Sequence, residues 1–200
     1  MERLNVYMAP LQGLTEAVFR NAFERHFGGV AAYYTPFVRR ERGEVRRKDL
    51  RELAPERNRV GHLVPQLLAG TCEEACHIVE VIRDMGYREA DLNMGCAFPM
   101  VVRRGKGCGI LPFPEKVREL LRVAELYPDM AFSVKMRLGY ETADECMRLL
   151  PLLNDTPLVR VAVHARTGLQ QYKGECDREM FFRFAEACSH PVVYNGDVCT

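Results

Sequence analysis

Apolar and polar positions along the chain fall into blocks of two kinds. Short apolar runs at 6–9, 30–34, 63–68, 90–94, 132–136, 159–164 and 192–195 are mostly continuous rather than alternating, the pattern of parallel strands covered on both faces. Between them lie stretches with helical spacing. Residues 15–27 open on Thr15 as a capping threonine and gather Val18, Phe19, Ala22 and Phe23 on one side. Residues 71–85 begin Thr71-Cys72-Glu73-Glu74, a capping box, and stop at Gly86. Residues 114–127 start on Pro114 and end before Pro128, and 142–153 and 177–188 complete the helical set. The charged span 35–58 reads as a long loop with a helical turn in it.

Strand–helix alternation repeated in this way predicts an α/β fold with a parallel sheet. Both a doubly wound sheet and a barrel satisfy it. Polar and glycine residues gather just past the carboxyl ends of the strands, as in Leu11-Gln12-Gly13, Asn93-Met94-Gly95-Cys96 and Asn195-Gly196-Asp197. That distribution favours a (β/α)8 TIM barrel with its site on one rim. No Gly-x-Gly-x-x-Gly follows the first run, which weighs against a dinucleotide-binding sheet. A complete barrel takes about 250 residues, so the expectation is one catalytic barrel domain over 1–200, truncated after the seventh strand.

Composition narrows the function classes. The chain has 200 residues, 48% hydrophobic, and 28 Lys+Arg against 27 Asp+Glu, so no strongly basic nucleic-acid footprint exists at whole-chain level. The local clusters Arg39-Arg40-Glu41-Arg42, Arg46-Arg47-Lys48 and Arg103-Arg104-Gly105-Lys106 read first as solvated surface. Eight cysteines occur without a Cys-x-x-Cys pair, which argues against structural zinc; no metal is expected. The start is too short and charged for a signal peptide, and no apolar run reaches a membrane span. A cytoplasmic, monomeric protein with reduced thiols and no membrane contact is the expectation.

The most informative stretch is Asp91-Leu92-Asn93-Met94-Gly95-Cys96-Ala97-Phe98-Pro99. Asn93 ends a strand, Gly95 allows a sharp turn, and Cys96 is offered on a loop as nucleophile or proton donor. Here the chain resembles the tRNA-dihydrouridine synthases. Five matches carry the likeness in order: Met8-Ala9-Pro10-Leu11 with Gly13-Leu14-Thr15 and Phe19-Arg20; Pro65-Gln66-Leu67; Asn93-Met94-Gly95-Cys96; Lys135-Met136-Arg137; and His164-Ala165-Arg166-Thr167, closing with Asn195-Gly196-Asp197.

The resemblance implies an FMN-dependent reductase that saturates the C5–C6 bond of uridines in tRNA, with NADPH as electron source. It implies that Ala9, Pro10 and Leu11 lie along the flavin ring. Gln66, Lys135, His164, Asn195 and Gly196 match its cofactor side, and Asn93, Arg137, Arg166 and Thr167 its substrate side. Hydride would pass from flavin N5 to uracil C6, with Cys96 protonating C5.

The residue types agree with these roles. A buried lysine such as Lys135 stabilises charge near flavin N1 and O2, and Gln66 offers both a donor and an acceptor. His164 suits a phosphate or a carbonyl, Arg166 and Thr167 an anion-binding rim, and Asp197 a helix cap.

The chain departs from the family pattern at three places. Ala97 stands where proline is usual, and Gly105-Lys106-Gly107-Cys108-Gly109 contains a rival thiol, Cys108, expected to pack. The family's glycine–arginine phosphate site and its C-terminal helical tRNA-binding domain have no counterpart in these residues. Two competing readings are another FMN barrel, of dihydroorotate-dehydrogenase or ene-reductase type, and a non-catalytic flavin- or RNA-binding remnant.

Overall fold

The structure is a computed structural model and describes residues 4–198. The chain opens with β1 (Val6–Met8), passes through α1 (Ala17–His26) to β2 (Val30–Tyr34), and continues beyond Pro36 into β3 (Val38–Glu41). A short β4 (Glu44–Val45) folds back on β3, and α2 (Arg47–Leu53) leads to β5 (Leu63–Val64) and β6 (Gln66–Leu68). Then follow α3 (Cys72–Asp84), β7 (Glu89–Met94), α4 (Pro99–Val102), α5 (Pro114–Leu126), β8 (Ala131–Gly139), α6 (Glu145–Asp155), β9 (Leu158–Thr167), α7 (Arg178–Ala187) and β10 (Val192–Asn195).

Two sheets form, in the orders β1-β2-β5 and β10-β9-β8-β7-β6-β3-β4, and every pairing is parallel except β3 with β4. From β6 to β10 the strands pair in chain order with no reversal. A doubly wound sheet needs such a reversal, whereas uniformly handed crossovers without one build a barrel-like wall. The wall curls: Arg160 of β9 donates to the Tyr34 hydroxyl of β2 at 2.8 Å and lies over the Tyr7 ring of β1 at 5.2 Å. Among the described residues β10 does not pair with β1, so the strands do not form a closed ring.

Several elements differ from the sequence reading. The run 63–68 divides at Pro65, which has no N–H to give a ladder: Leu63 and Val64 pair with β2, while Gln66 and Leu67 pair with β7. The span 35–58 holds a hairpin and a helix rather than a loop. Its two-residue turn places Arg42 (φ 53°) and Gly43 (φ 91°) in the left-handed region that such turns require. Thr15 does not cap α1; its Oγ1 accepts from the Leu11 N–H at 2.8 Å, closing the preceding turn, and the helix begins at Ala17. Thr71 does cap α3, accepting from Glu74 N at 3.2 Å. Helix α6 starts only at Glu145, whose carboxylate takes the N–H groups of Tyr140, Glu141 and Thr142 at 2.8, 2.9 and 3.1 Å.

The strands prove to be two-faced. Leu92, Met94, Val134, Met136, Val161 and Val163 join the core cluster with α3, α5 and α6. Asp91, Asn93, Ser133, Lys135, Arg137, His164 and Arg166 occupy the alternate positions and face the interior. The apolar face expected to bury α1 is turned outward: Val18 is 75% exposed and Phe19 47%, because the helix docks through Ala17 and Arg20.

Arg20 is fully buried. It donates to the Thr15 carbonyl at 2.6 Å, the Glu52 carbonyl at 3.0 Å and Asn58 Oδ1 at 2.6 Å, with the Glu52 carboxylate at 3.5 Å. Removing one partner of a buried ionic cluster strands the others without solvent. Arg20→Met should therefore lower the unfolding free energy by about 3–5 kcal/mol in urea titration; a loss below about 1 kcal/mol would place the pair with surface bridges.

Candidate functional site

A cavity of about 600 Å³ opens at the carboxyl ends of the strands, within the size range of small-molecule sites. Ala9, Pro10, Leu11, Gln66, Asn93, Cys96, Lys135, Arg137, His164, Arg166, Asn195 and Gly196 all line it. Residues separated by up to 187 positions thus converge, because each sits at the end of an adjacent parallel strand. Thr167 does not line it. Its backbone N–H and hydroxyl are engaged by Gln170, and its carbonyl accepts from Arg137.

The Cys96 loop is held from both sides. Asn93 Oδ1 accepts from the N–H groups of Gly95 (3.1 Å) and Cys96 (2.9 Å), and the Cys96 carbonyl accepts from Cys108 N at 3.0 Å. At Gly107 (φ +58°) a Cβ would lie 2.3 Å from the Cys96 carbonyl oxygen, so the glycine lets the loop close on itself. Burial raises the Cys96 thiol pKa, opposed by a Phe98 backbone hydrogen bond, Arg137 and Lys135. A thiol above its usual range stays protonated at neutral pH, which suits a proton donor better than a thiolate nucleophile. Cys108 is fully buried, and burial pushes it up to about 12. It packs, as expected.

Two cations give the cavity its character. Lys135 is half-buried and has no hydrogen-bond or ion-pair partner among the described residues. Burial pulls its pKa down to about 8, against the attraction of Asp91. Arg137 is buried and donates to the carbonyls of Gly95 (2.9 Å), Thr167 (2.9 Å) and Gln171 (2.7 Å). Those partners are neutral, so its charge is uncompensated, and its Nη2 makes no bond among the described residues. The Tyr172 ring lies 5.4 Å from this guanidinium and 6.0 Å from His164, and it is 72% exposed at the cavity wall.

His164 is neutral: burial, then Arg137, Lys135 and Arg166, pull it down to about 3. Its Nε2 lies 3.3 Å from Arg166 Nη1. Arginine can only donate, so Nε2 accepts and the proton sits on Nδ1. At Gly196 (φ +115°) a Cβ would meet His164 Cδ2 at 2.8 Å, so backbone lies directly against the ring.

The structure alters the reading of Arg166. All five of its N–H groups are engaged, by Gly174 O twice (3.1 and 2.6 Å), His164, and Asp197 twice (3.0 and 2.5 Å). Asp197 thus neutralises Arg166, and the open anion-binding donors belong to Lys135 and Arg137; the helix that Asp197 was expected to cap lies outside the described residues.

Sequence reasoning missed Asp91, Ser133 and Tyr172. Asp91 is buried and accepts from Gln66 Nε2 at 2.7 Å and Ser133 Oγ at 2.6 Å; burial raises its pKa, while those bonds and Lys135 oppose the rise. The period-two spacing Asp91/Asn93 and Ser133/Lys135/Arg137 was the available signal. Tyr172 had a weaker one, a lone aromatic in the polar stretch 170–174.

Alkylation of Cys96 by iodoacetamide, followed by peptide mass spectrometry, should be slower than for free cysteine at pH 7 and accelerate as pH rises through 9 and beyond. Cys108 should remain unmodified in the folded protein. Modification of Cys96 at pH 6 as fast as free cysteine would contradict a protonated thiol.

The chain is 29% identical over 212 residues to a protein named tRNA-dihydrouridine(16) synthase from Aquipseudomonas alcaligenes, covering 98% of this chain and 65% of that one. It is 26% identical over 200 residues to tRNA-dihydrouridine synthase B of Vibrio parahaemolyticus, covering 97% and 60%. To a probable tRNA-dihydrouridine synthase 1 of Synechocystis it is 25% identical, covering 96% and 54%. The chain therefore spans roughly three-fifths of the length of these curated relatives. The sequence model described as dihydrouridine synthase (Dus) matches residues 7–200, and on that match the chain belongs to the dihydrouridine synthase family.

Proposed function

We propose that this chain carries the flavin site and the proton donor of a tRNA-dihydrouridine synthase, reducing the C5–C6 double bond of a uridine in tRNA at the expense of NADPH. The observation that carries the reading is one cavity that holds a protonated Cys96 thiol together with two cations, Lys135 and Arg137, that no carboxylate pairs.

The residues suit the ring of FMN. Lys135 offers an unpartnered ammonium to the ring's electron-rich edge, and Gln66 has one N–H and one lone pair still free. Ala9 and Pro10 give a flat apolar wall, and Gly196 leaves room for backbone against the ligand. Lys135, Gln66, Asn195, Gly196 and the Ala9-Pro10-Leu11 segment would hold it, with neutral His164 donating from Nδ1. FMN bound there supplies the hydride that adds to uracil C6, and NADPH restores it.

The chain's own residues supply the rest. Cys96, protonated at neutral pH, gives its proton to C5 on the face the loop presents. Arg137 keeps two free Nη2 donors for a uracil carbonyl, and the carbonyls of Gly95, Thr167 and Gln171 hold its guanidinium in place. A uridine must leave its stack to enter such a cavity. Tyr172 at the wall and Phe98 beside Cys96 (59% exposed) offer aromatic faces for it and its neighbours. Exposed Arg103 and Arg104 follow Phe98 and suit RNA phosphates. The same reading makes the protein cytoplasmic and monomeric.

Cys96→Ala should keep the flavin absorbance of the wild type and lose most dihydrouridine formation, measured by mass spectrometry of tRNA. Turnover within about threefold of wild type, a barrier change below one tenfold step, would remove Cys96 as the acid. Lys135 is charged below its pKa of about 8 and neutral above it, so FMN affinity should weaken as pH rises through that value. Lys135→Met should bind FMN more weakly at pH 7 and show no such dependence; a variant that retained the same pH profile would assign the titration elsewhere.

A further inference from the structure

Beneath the cavity a single chain of hydrogen bonds runs from the Cys96 loop to Asp91. The N–H groups of Gly95 and Cys96 both point at Asn93 Oδ1, at 3.1 and 2.9 Å. Backbone N–H groups can only donate, so Asn93 must present its oxygen to them and its Nδ2 away from them. That Nδ2 donates to Gln66 Oε1 at 2.7 Å. Gln66 must therefore present its own Nε2 on the other side, where it meets Asp91 Oδ2 at 2.7 Å. The last group has to be an acceptor. Ser133 Oγ donates to the second carboxylate oxygen at 2.6 Å and fixes the plane of the group. Gln66 and Asp91 are each 1% exposed, so no bulk water substitutes for a missing partner.

We propose that Asp91 is the positioning residue for Cys96. Its carboxylate sets the polarity of two buried amides in series, and through them holds the backbone turn that aims the thiol into the cavity. Asp91 does not line the cavity of about 600 Å³ itself. A leucine at position 91 tests this because it keeps the shape of the side chain and removes the acceptor. Gln66 Nε2 then has no partner in a site without bulk water, so the Gln66 amide is no longer held with its oxygen toward Asn93. Once Gln66 turns, Asn93 turns N–H groups toward Gly95 and Cys96 and the loop loses its anchor.

Asparagine at position 91 is the conservative control. Its Oδ1 takes Gln66 Nε2 while its N–H group donates to Ser133 Oγ, because a hydroxyl accepts as well as donates. Asp91→Asn therefore keeps the relay that Asp91→Leu breaks.

The effect on turnover rests on the reductase reading above; the effect on the Cys96 loop does not. Hydrogen exchange of the Gly95 and Cys96 amides, and the iodoacetamide rate at Cys96, report the anchor in the full chain without any ligand. In Asp91→Leu those amides should exchange about tenfold faster, the consequence of losing one hydrogen bond, and the alkylation rate should shift in the same variant. Asp91→Asn should retain the wild-type values of both. Gln66→Met, which cuts the relay at its middle, should reproduce the loss and serves if the position-91 variant does not fold. The relay is wrong if a folded Asp91→Leu or Gln66→Met protein exchanges those amides at the wild-type rate, or if a folded Asp91→Asn protein loses their protection. Wild-type protein that showed the whole pattern yet never reduced uridine would sink the proposed reaction alone.

Discussion

The chemistry of this molecule depends on keeping positive charge out of water without giving it a carboxylate partner. Lys135 and Arg137 stand two positions apart on β8, on the face opposite Val134 and Met136. The apolar face is covered by helices and contributes the burial energy, while the polar face bears the desolvation cost. That cost is visible in the Lys135 ammonium, held down to about 8, and in His164, held near 3. The strain is tolerable because Arg137 is ringed by backbone carbonyls, which satisfy its donors without cancelling its charge. An anion entering the cavity gains what the empty protein forgoes.

Arg166 shows the alternative solution to the same problem. It sits two positions beyond His164 on β9, yet all its donors are committed to Gly174, His164 and Asp197. It works as a brace that fixes the imidazole tautomer and ties β9 to the segment after β10. Two arginines at similar strand ends thus differ in function because one meets a carboxylate and the other meets carbonyls. Residue type alone does not separate them.

The thiol depends on backbone more than on neighbouring side chains. Its loop closes because Gly107 lacks a Cβ where the Cys96 carbonyl passes, and because Asn93 spends its oxygen on two consecutive N–H groups. Ala97, which departs from the family's usual proline, leaves these contacts intact, since none of them uses the residue after the cysteine. The aromatic and basic residues that follow, Phe98, Arg103 and Arg104, remain on the surface next to this anchored turn.

Taken by itself, the sequence determined the strand–helix order and the parallel sheet, which follow from local rules: apolar runs bounded by caps and glycines, and polar tips at strand ends. Its family resemblance named more than half of the residues of the cavity wall. It also marked Cys108 as a packing residue and Lys135 as a cation at the rim. Tertiary structure alone decided the rest. The hairpin in 35–58 was hidden by its charge, because of its strand residues only Val38 and Val45 enter the core. The outward apolar face of α1 followed from the buried Arg20–Glu52 pair, a contact between residues 32 positions apart. The difference between Arg137 and Arg166, and the role of Asp91, depend on which donors and acceptors meet once the strands are aligned. Hydrogen-bond polarity is a property of pairs, and pairing between distant residues has no local signature in the chain.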